Sequence, residues 1–275
     1  VQILLQQKYF LYLIKRLTPK VTYQLDRSYS RHFHFKMRNY AKGDIMSNSK
    51  VAIILGRGNS KRLPNKNLIE FEGNPILHYP IEAALESKLF DRVIVSTDKP
   101  QIAELAIALG AEAPFLRTEE VSNDEASTYS ALNYSLKQLP ETYEHFCCIY
   151  ASSPLIQSKR ITEAYKNFSA EDADFCYPIC KFSSPPQRAF IKKENAIQMP
   201  GQKYLWSRSQ DLDPHYFDIG EFYWGKVSSL EKFKSIYGGK IIGYEVSELE
   251  AQDINTTTDL ELARLKFKLR CSNPT

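Results

Sequence analysis

The segment Val51-Ala-Ile-Ile-Leu-Gly-Arg-Gly-Asn-Ser-Lys-Arg-Leu-Pro-Asn-Lys-Asn67 joins a short apolar run to a loop rich in glycine and basic residues. The apolar run is mostly β-branched, which predicts a buried central strand of a parallel sheet. The two glycines of the loop let the backbone approach a ligand closely. Its cations, Arg57, Lys61, Arg62 and Lys66, repel one another, so an anion is their natural partner. A polyphosphate at the carboxyl edge of an α/β sheet fits this pattern best.

The loop differs from two common phosphate-binding motifs. Gly58 is followed by Asn59, Ser60 and Lys61, so the segment contains neither G-x-G-x-x-G nor G-x-x-x-x-G-K-[ST]. A solvated basic turn is the alternative interpretation of any basic loop. The strand before it and the Pro-Asn-Lys-Asn continuation after it favour the phosphate site.

Length and composition are ordinary for a globular intracellular protein. A chain of 275 residues can form one large domain or a domain with an inserted lobe. No apolar run approaches the roughly 20 residues that span a bilayer, so no membrane segment is expected. The five cysteines, an odd number, predict reduced thiols and a cytoplasmic location.

The positive charge of the chain is concentrated at its amino end. Residues 1–45 carry nine Lys or Arg and two Asp or Glu, whereas the remaining 230 residues have a net charge of −3. The basic loop is therefore a local feature and not part of a nucleic-acid-binding face. Residues 1–45 also lack a clear period, so we expect a poorly ordered arm, or sequence translated upstream of a natural start at Met46. The domain itself is predicted to span residues 46–275.

From residue 50 onward, strand-like runs alternate with helix-like segments, which predicts a doubly wound, mainly parallel α/β sheet. The predicted strands are residues 51–55, 91–97, 113–116, 146–150, 175–179, 220–224 and 240–246. The predicted helices are residues 75–88, 100–109, 123–138, 158–168, 228–233 and a last one from residue 257. Between residues 183 and 218, four prolines and several aromatic residues predict a small inserted lobe, which serves as a lid or a dimer contact.

Two acidic residues follow the predicted strands at positions that parallel strands bring to one edge of a sheet. Asp98 ends the second strand, and Asp253 lies in the turn before the last helix. Mg²⁺ needs one or two carboxylates, with phosphate oxygens and water as its other ligands. The pair therefore predicts a magnesium site, while helix capping by each aspartate is the alternative.

The chain resembles the acylneuraminate cytidylyltransferases, the CMP-sugar synthetases of acidic sugars. The likeness extends over residues 49–269 and rests on residues 57–67, residues 90–98, and Phe115-Leu-Arg117 with residues 124–128. It implies a Rossmann-like nucleotidyltransferase fold and Mg²⁺-dependent transfer of CMP from CTP. The anomeric hydroxyl of an acidic nine-carbon sugar attacks the α-phosphorus, and pyrophosphate leaves.

The resemblance also implies roles for individual residues. The expected catalytic residues are Arg57, Lys61, Asp98 and Asp253. The expected nucleotide-binding residues are Gly58, Asn59, Ser60, Lys66, Asn67, Arg117 and Thr128. The expected sugar-binding residues are Arg208, Gln210, Asp211, Tyr223 and Trp224. The expected metal ligands are Asp98, Asp253 and Asn255.

Three segments resemble the branch of this family that acts on pseudaminic acid, namely residues 149–155, 208–212 and 218–225. Two positions depart from many relatives, because Lys99 follows Asp98 and Asn255 stands where an aspartate is common. Relatives are usually homodimers whose inserted lobe reaches the neighbouring active site, which implies the same for residues 183–218.

Three other functions stay open at this stage. A related synthetase for sialic, legionaminic or 3-deoxy-octulosonic acid would differ only in the sugar pocket. A catalytically weakened CTP-binding protein is favoured by Lys99 and Asn255. A glycosyltransferase would need a D-x-D metal motif. Asp211-Leu-Asp213 has that spacing, but the residues around it resemble a loop of the family's sugar site. No general base is identified, and Asp211 is the candidate.

Overall fold

The computed structural model describes residues 48–272, so the predicted arm at residues 1–45 lies outside the described part. The strands are β1 Lys50–Leu55, β2 Glu70–Phe71, β3 Asn74–Pro75, β4 Arg92–Ser96, β5 His145–Tyr150, β6 Phe175–Lys181, β7 Ile191–Lys193, β8 Ala196–Gln198, β9 Tyr216–Asp218, β10 Phe222–Lys226 and β11 Ile241–Glu245. The helices are α1 His78–Ser87, α2 Pro100–Ala108, α3 Thr128–Gln138, α4 Ser158–Ala170, α5 Val227–Phe233 and α6 Thr257–Ser272.

The main sheet has the strand order β11-β6-β10-β5-β1-β4, with β9 added beside β6. β1 pairs in parallel with β4 and β5, and β6 pairs in parallel with β11. Strand β10 runs antiparallel between β5 and β6, and β9 is antiparallel to β6. The prediction of a mainly parallel α/β sheet is confirmed.

Hydrophobic side chains of β1 alternate between the two faces of the sheet because the side-chain period of a strand is two. Ala52 and Ile54 pack in a cluster with residues of α1, α2 and α4. Val51 and Ile53 pack in a second cluster with residues of α3 and α5. Helices therefore cover both faces, as a doubly wound sheet requires.

Two predicted elements differ from the structure. Residues 113–116 form no strand and make one isolated bridge, from Leu116 to Thr97, because Pro114 has no N–H group to continue a ladder. The bridge to β4 comes from the preceding Glu112. Helix α3 begins five residues later than predicted. The side-chain oxygen of Asn123 accepts hydrogen bonds from two following backbone N–H groups and holds a turn there instead.

The segment predicted as an inserted lobe, residues 183–218, consists of the β7–β8 ribbon, short 3-10 turns and β9. Its apolar side chains point outward, and Trp206 is 92% exposed. Among the described residues, no helix is long and apolar enough to cross a membrane.

Candidate active site

The carboxyl ends of β1, β4 and β5 lie at one edge of the sheet because the three strands are parallel. Two cavities of about 590 and 680 Å³ lie at this edge and share lining residues. The predicted site residues that line one or both are Arg57, Gly58, Asn59, Ser60, Lys61, Lys66, Asn67, Asp98, Arg117, Thr128, Asp253 and Asn255. The structure thus brings together the predicted nucleotide and metal residues.

Two cations of the basic loop contact the same carboxylate. Arg57 Nη1 lies 2.9 Å from Asp124 Oδ1, and Lys61 Nζ lies 2.6 Å from Asp124 Oδ2. The hydrogen bond from Lys61, with the charges of both cations, lowers the pKa of the Asp124 carboxyl. Asp124 therefore occupies the position of an anion between these side chains, and a phosphate would compete with it.

Hydrogen bonds to the following segments fix the shape of the loop. The buried Asn67 donates from Nδ2 to the backbone oxygen of Arg57 at 2.7 Å. The N–H group of Gly58 donates to Asp98 Oδ1 at 2.7 Å. A Cβ atom at Gly58 would lie only 2.0 Å from Cγ of Lys99, so glycine is needed for this close approach. Asn67 and Asp98 thus hold the loop as well as line the cavity.

The turn before α6 is tied to the same loop. Lys66 Nζ donates to the backbone oxygen of Ile254 at 2.8 Å, and Arg62 Nη2 donates to Asn255 Oδ1 at 2.8 Å. The Asn255 amide in turn donates to Asp253 Oδ2. Burial lowers the pKa of Lys66, and the nearby charge of Asp253 opposes that shift. These contacts place a carboxylate beside the cationic side of the cavity.

The oxygen donors at this edge are of the kind that Mg²⁺ binds. One oxygen of Asp98 accepts from Gly58 and the other faces Lys99 Nζ at 3.8 Å, whereas Asp253 retains one oxygen beyond its bond to Asn255. Asp253 lines the smaller cavity and Asp98 the larger one. The described residues contain no cluster of three or more acidic, His or Cys ligands. Each carboxylate therefore fits an ion that takes its remaining ligands from substrate phosphates and water.

Arg117 is a buried cation that faces both cavities. The residue is 7% exposed, and its Nε atom has no hydrogen-bond partner among the described residues. Burial lowers its pKa, and the charge of Asp98 partly opposes this. A buried guanidinium without full hydrogen bonding is costly unless a ligand completes it. This supports the predicted role in binding the nucleotide.

Tyr150 is a site residue that we did not assign from the sequence. It lies at the carboxyl end of β5 and lines the smaller cavity, and its hydroxyl is 2.9 Å from Thr128 Oγ1. The sequence could have indicated this residue, because ligands bind beyond the carboxyl ends of parallel strands and Tyr150 is the last residue of such a strand. Ser152, two residues later, lines the same cavity.

The prediction that Tyr223 and Trp224 both wall the sugar pocket is wrong for Trp224. The two are consecutive in β10 and therefore point to opposite faces of the sheet. Trp224 is fully buried, stacks on Phe90 at 5.2 Å between ring centroids, and donates from Nε1 to the backbone of Ile161. Tyr223 is also buried, but its ring contacts Tyr150 at 5.4 Å and so supports the cavity from behind.

The other predicted sugar-binding residues lie on an exposed 3-10 turn of the lobe. Arg208 pairs with Asp211 within that turn, with Nε 2.8 Å from Oδ2. The residues that line the two cavities do not include Arg208, Gln210 or Asp211. Within this chain, the structure therefore does not bring these three residues to the nucleotide cavity.

A protein-family model described as cytidylyltransferase matches residues 51–225. The chain belongs to the cytidylyltransferase family. A pseudaminic acid cytidylyltransferase of Campylobacter jejuni is 36% identical over 223 residues, which cover 80% of this chain and 96% of that protein. An N-acylneuraminate cytidylyltransferase of Streptococcus agalactiae is 30% identical over 213 residues, which cover 76% of this chain and 51% of that protein.

Solved structures show the same fold at low sequence identity. A CMP:2-keto-3-deoxy-manno-octonic acid synthetase complexed with CTP has a TM-score of 0.63 at 17% identity, over 81% of this cytidylyltransferase and 99% of that chain. The 4-diphosphocytidyl-2C-methyl-D-erythritol synthase of Anaerococcus prevotii has a TM-score of 0.54 at 10% identity, over 80% and 99% of the two chains. These likenesses confirm the Rossmann-like nucleotidyltransferase fold.

Proposed function

We propose that this cytidylyltransferase transfers CMP from CTP to the anomeric hydroxyl of pseudaminic acid and releases pyrophosphate, for surface glycan synthesis or flagellin glycosylation. The observation that carries the proposal is the cationic cavity at the carboxyl edge of the sheet. The chain matches a pseudaminic acid cytidylyltransferase over 80% of its own length and 96% of that protein. A synthetase for another acidic sugar is the second candidate, favoured by the N-acylneuraminate relatives.

The reaction forms a bond between the anomeric oxygen and the α-phosphorus and breaks the bond from that phosphorus to the pyrophosphate. The carbon–oxygen bond of the sugar stays intact. Positioning and charge neutralisation account for most of the catalysis in such transfers. Arg57 and Lys61 would leave Asp124 to contact the departing pyrophosphate, and Lys66, which lines the same cavity, would add charge. Arg117 would complete its hydrogen bonding on the nucleotide.

Mg²⁺ is part of the proposal. Asp253 and Asp98 would each offer one carboxylate oxygen, and Asn255 would orient Asp253 through its amide. When bound, the ion neutralises charge on the phosphates and polarises the attacked phosphoryl group. Asn255 in place of an acidic residue leaves the site with fewer negative charges, which predicts weaker metal binding.

We also propose a homodimer in the cytoplasm. The apolar side chains that the lobe exposes, including Trp206, support a protein contact on that surface. Such a contact would carry Arg208, Gln210 and Asp211 to the cavity of the partner, where they would bind the sugar carboxylate and hydroxyls. A monomer with full activity in size-exclusion chromatography would contradict this part of the proposal.

Pyrophosphate release from CTP tests the function. The full chain is assayed with Mg²⁺ and, in separate reactions, pseudaminic, legionaminic, N-acetylneuraminic and 3-deoxy-octulosonic acids. Turnover mainly with pseudaminic acid supports the proposal. Turnover mainly with another sugar favours the second candidate, a synthetase for that sugar. Lys61→Met should lose activity, whereas Lys166→Met, at an exposed position of α4 away from both cavities, is the matched control. CTP binding without turnover of any sugar would contradict enzymatic function.

A further inference from the structure

The side chain of Lys99 lies across the backbone of the basic loop. The next residue is Pro100, which favours extended backbone in the residue before it, and Lys99 accordingly has φ −114° and ψ 124°. Its Cγ, Cδ and Cε atoms all lie within 2.8 Å of the point that a Cβ atom of residue 58 would occupy. The absence of a side chain at Gly58 therefore provides the space in which the Lys99 chain lies, at the wall of the larger cavity.

The ammonium group of Lys99 faces the oxygen of Asp98 that the loop does not use. Asp98 Oδ1 accepts from the N–H group of Gly58 at 2.7 Å, and Lys99 Nζ lies 3.8 Å from Oδ2. That separation is too long for a hydrogen bond, so charge alone holds the pair. The Asp98 side chain is 14% exposed and that of Lys99 is 43% exposed. The carboxylate is thus fixed in place, whereas the ammonium group can move.

A phosphate group is a stronger partner for this ammonium than Asp98 is. Lysine binds phosphate through short hydrogen bonds between charged groups, which the present pair lacks. Lys99 lines the larger cavity together with Lys61, which is assigned to the departing pyrophosphate. Lys61 lies 2.6 Å from its own partner, Asp124, so Lys99 is the less tightly held of the two. The β- and γ-phosphates of a bound triphosphate would therefore attract Lys99 away from Asp98.

The same movement changes what Asp98 can bind. While the ammonium faces Oδ2, a divalent ion at that oxygen would lie beside a positive charge, which repels it. After the ammonium moves to phosphate, Oδ2 is an available oxygen ligand of the kind that Mg²⁺ takes. Lys99 is thus placed to connect the binding of phosphate with the binding of an ion at Asp98.

We propose that Lys99 is a further phosphate-binding residue that couples the two ligands. In the free protein its ammonium pairs with Asp98 and keeps a divalent ion from that carboxylate. In the complex it contacts the β- and γ-phosphates and leaves the carboxylate to the ion. The inference rests on the proposed function for the identity of the nucleotide. Because binding equilibria are linked, each ligand then raises the affinity for the other by the same factor.

Lys99→Met removes the charge and keeps an unbranched side chain. Electron paramagnetic resonance without nucleotide measures the Kd of Mn²⁺, which binds carboxylates as Mg²⁺ does. Calorimetry in EDTA measures the Kd of CTP and of CMP, which lacks the β- and γ-phosphates. Mn²⁺ binding should tighten up to about fivefold. CTP binding should weaken about tenfold while CMP binding is unchanged. A merely structural defect would weaken all three ligands.

Three control variants assign these effects. Adding Asp98→Asn to Lys99→Met should abolish the gain in Mn²⁺ affinity. Lys99→Arg keeps the charge and should retain both the CTP affinity and the weak Mn²⁺ binding. Lys268→Met should change neither, because Lys268 forms a similar ion pair, 3.6 Å from Glu72, and lines neither cavity. Unchanged or weaker Mn²⁺ binding by Lys99→Met, unchanged CTP binding, or an equal loss for CTP and CMP would overturn the proposal.

Failure of the proposed function is seen separately. It would appear as no pyrophosphate release by the unaltered chain with any acidic sugar. The Mn²⁺ titration of Lys99→Met without nucleotide then tests the competition at Asp98 by itself, and unchanged Mn²⁺ binding overturns the inference.

Discussion

Replacing Arg117 by methionine should separate ligand binding from stability. Arg117 is 7% exposed, and its Nε has no hydrogen-bond partner in the described part of the chain. A hydrogen bond to a charged group contributes about 1.5–3 kcal/mol, so its loss should weaken CTP binding by about 10- to 150-fold. Without ligand, methionine fills a similar volume without a buried charge. The free energy of unfolding should then be unchanged or about 1–2 kcal/mol higher.

Urea unfolding with and without CTP, together with calorimetric CTP titration, measures both effects. Arg117→Lys is the matched control, because it keeps the charge but not the planar guanidinium that can form paired hydrogen bonds. It should recover part of the CTP affinity and none of the gain in stability. The reasoning would be refuted if Arg117→Met lost more than about 2 kcal/mol of stability without ligand and bound CTP as tightly as the unaltered chain.

Three further predictions concern other parts of the structure. Asp124→Asn should tighten CTP binding up to about fivefold in calorimetry, because the carboxylate no longer competes for Arg57 and Lys61. Weaker binding would show instead that the Asp124 carboxylate helps to bind CTP. Burial lowers the pKa of His145 below 6.5, so on acidification the unfolded chain is protonated first and the free energy of unfolding falls as pH drops through 6.5. His145→Gln should therefore reduce the pH dependence of the free energy of unfolding, measured with urea, by at most about 1.4 kcal/mol per pH unit. An unchanged pH dependence would contradict this. Trp224→Ala should lower the free energy of unfolding by about 3–5 kcal/mol and leave KM for the sugar unchanged. A raised KM in a variant that stays folded would show that Trp224 does contribute to the sugar pocket.

The basic loop and the two aspartates of the candidate site were predictable because they lie where local patterns end, whereas Arg117 was implied by the family resemblance. The apolar run of β1 predicts a central strand, and parallel strands place their carboxyl ends together. The predicted phosphate loop, Arg117 and Asp253 accordingly line adjoining cavities. The predicted role of Trp224 was wrong because successive side chains of a strand point to opposite faces. Tyr223 and Trp224 are adjacent in β10, so they cannot line the same pocket.

The sequence by itself determined the alternation of strands and helices, the basic loop after the first strand, and the family, since all three depend on residue types at short spacing. Only the tertiary structure decided which charges and hydroxyls meet. Asp124 lies 67 positions from Arg57 in the chain yet forms its ion pair, and the Thr128 and Tyr150 hydroxyls, 22 positions apart, lie 2.9 Å from each other. Such contacts depend on strand order and on which face of the sheet each side chain occupies. Neither is encoded in any short stretch of residues, because both are set by how distant segments pack together.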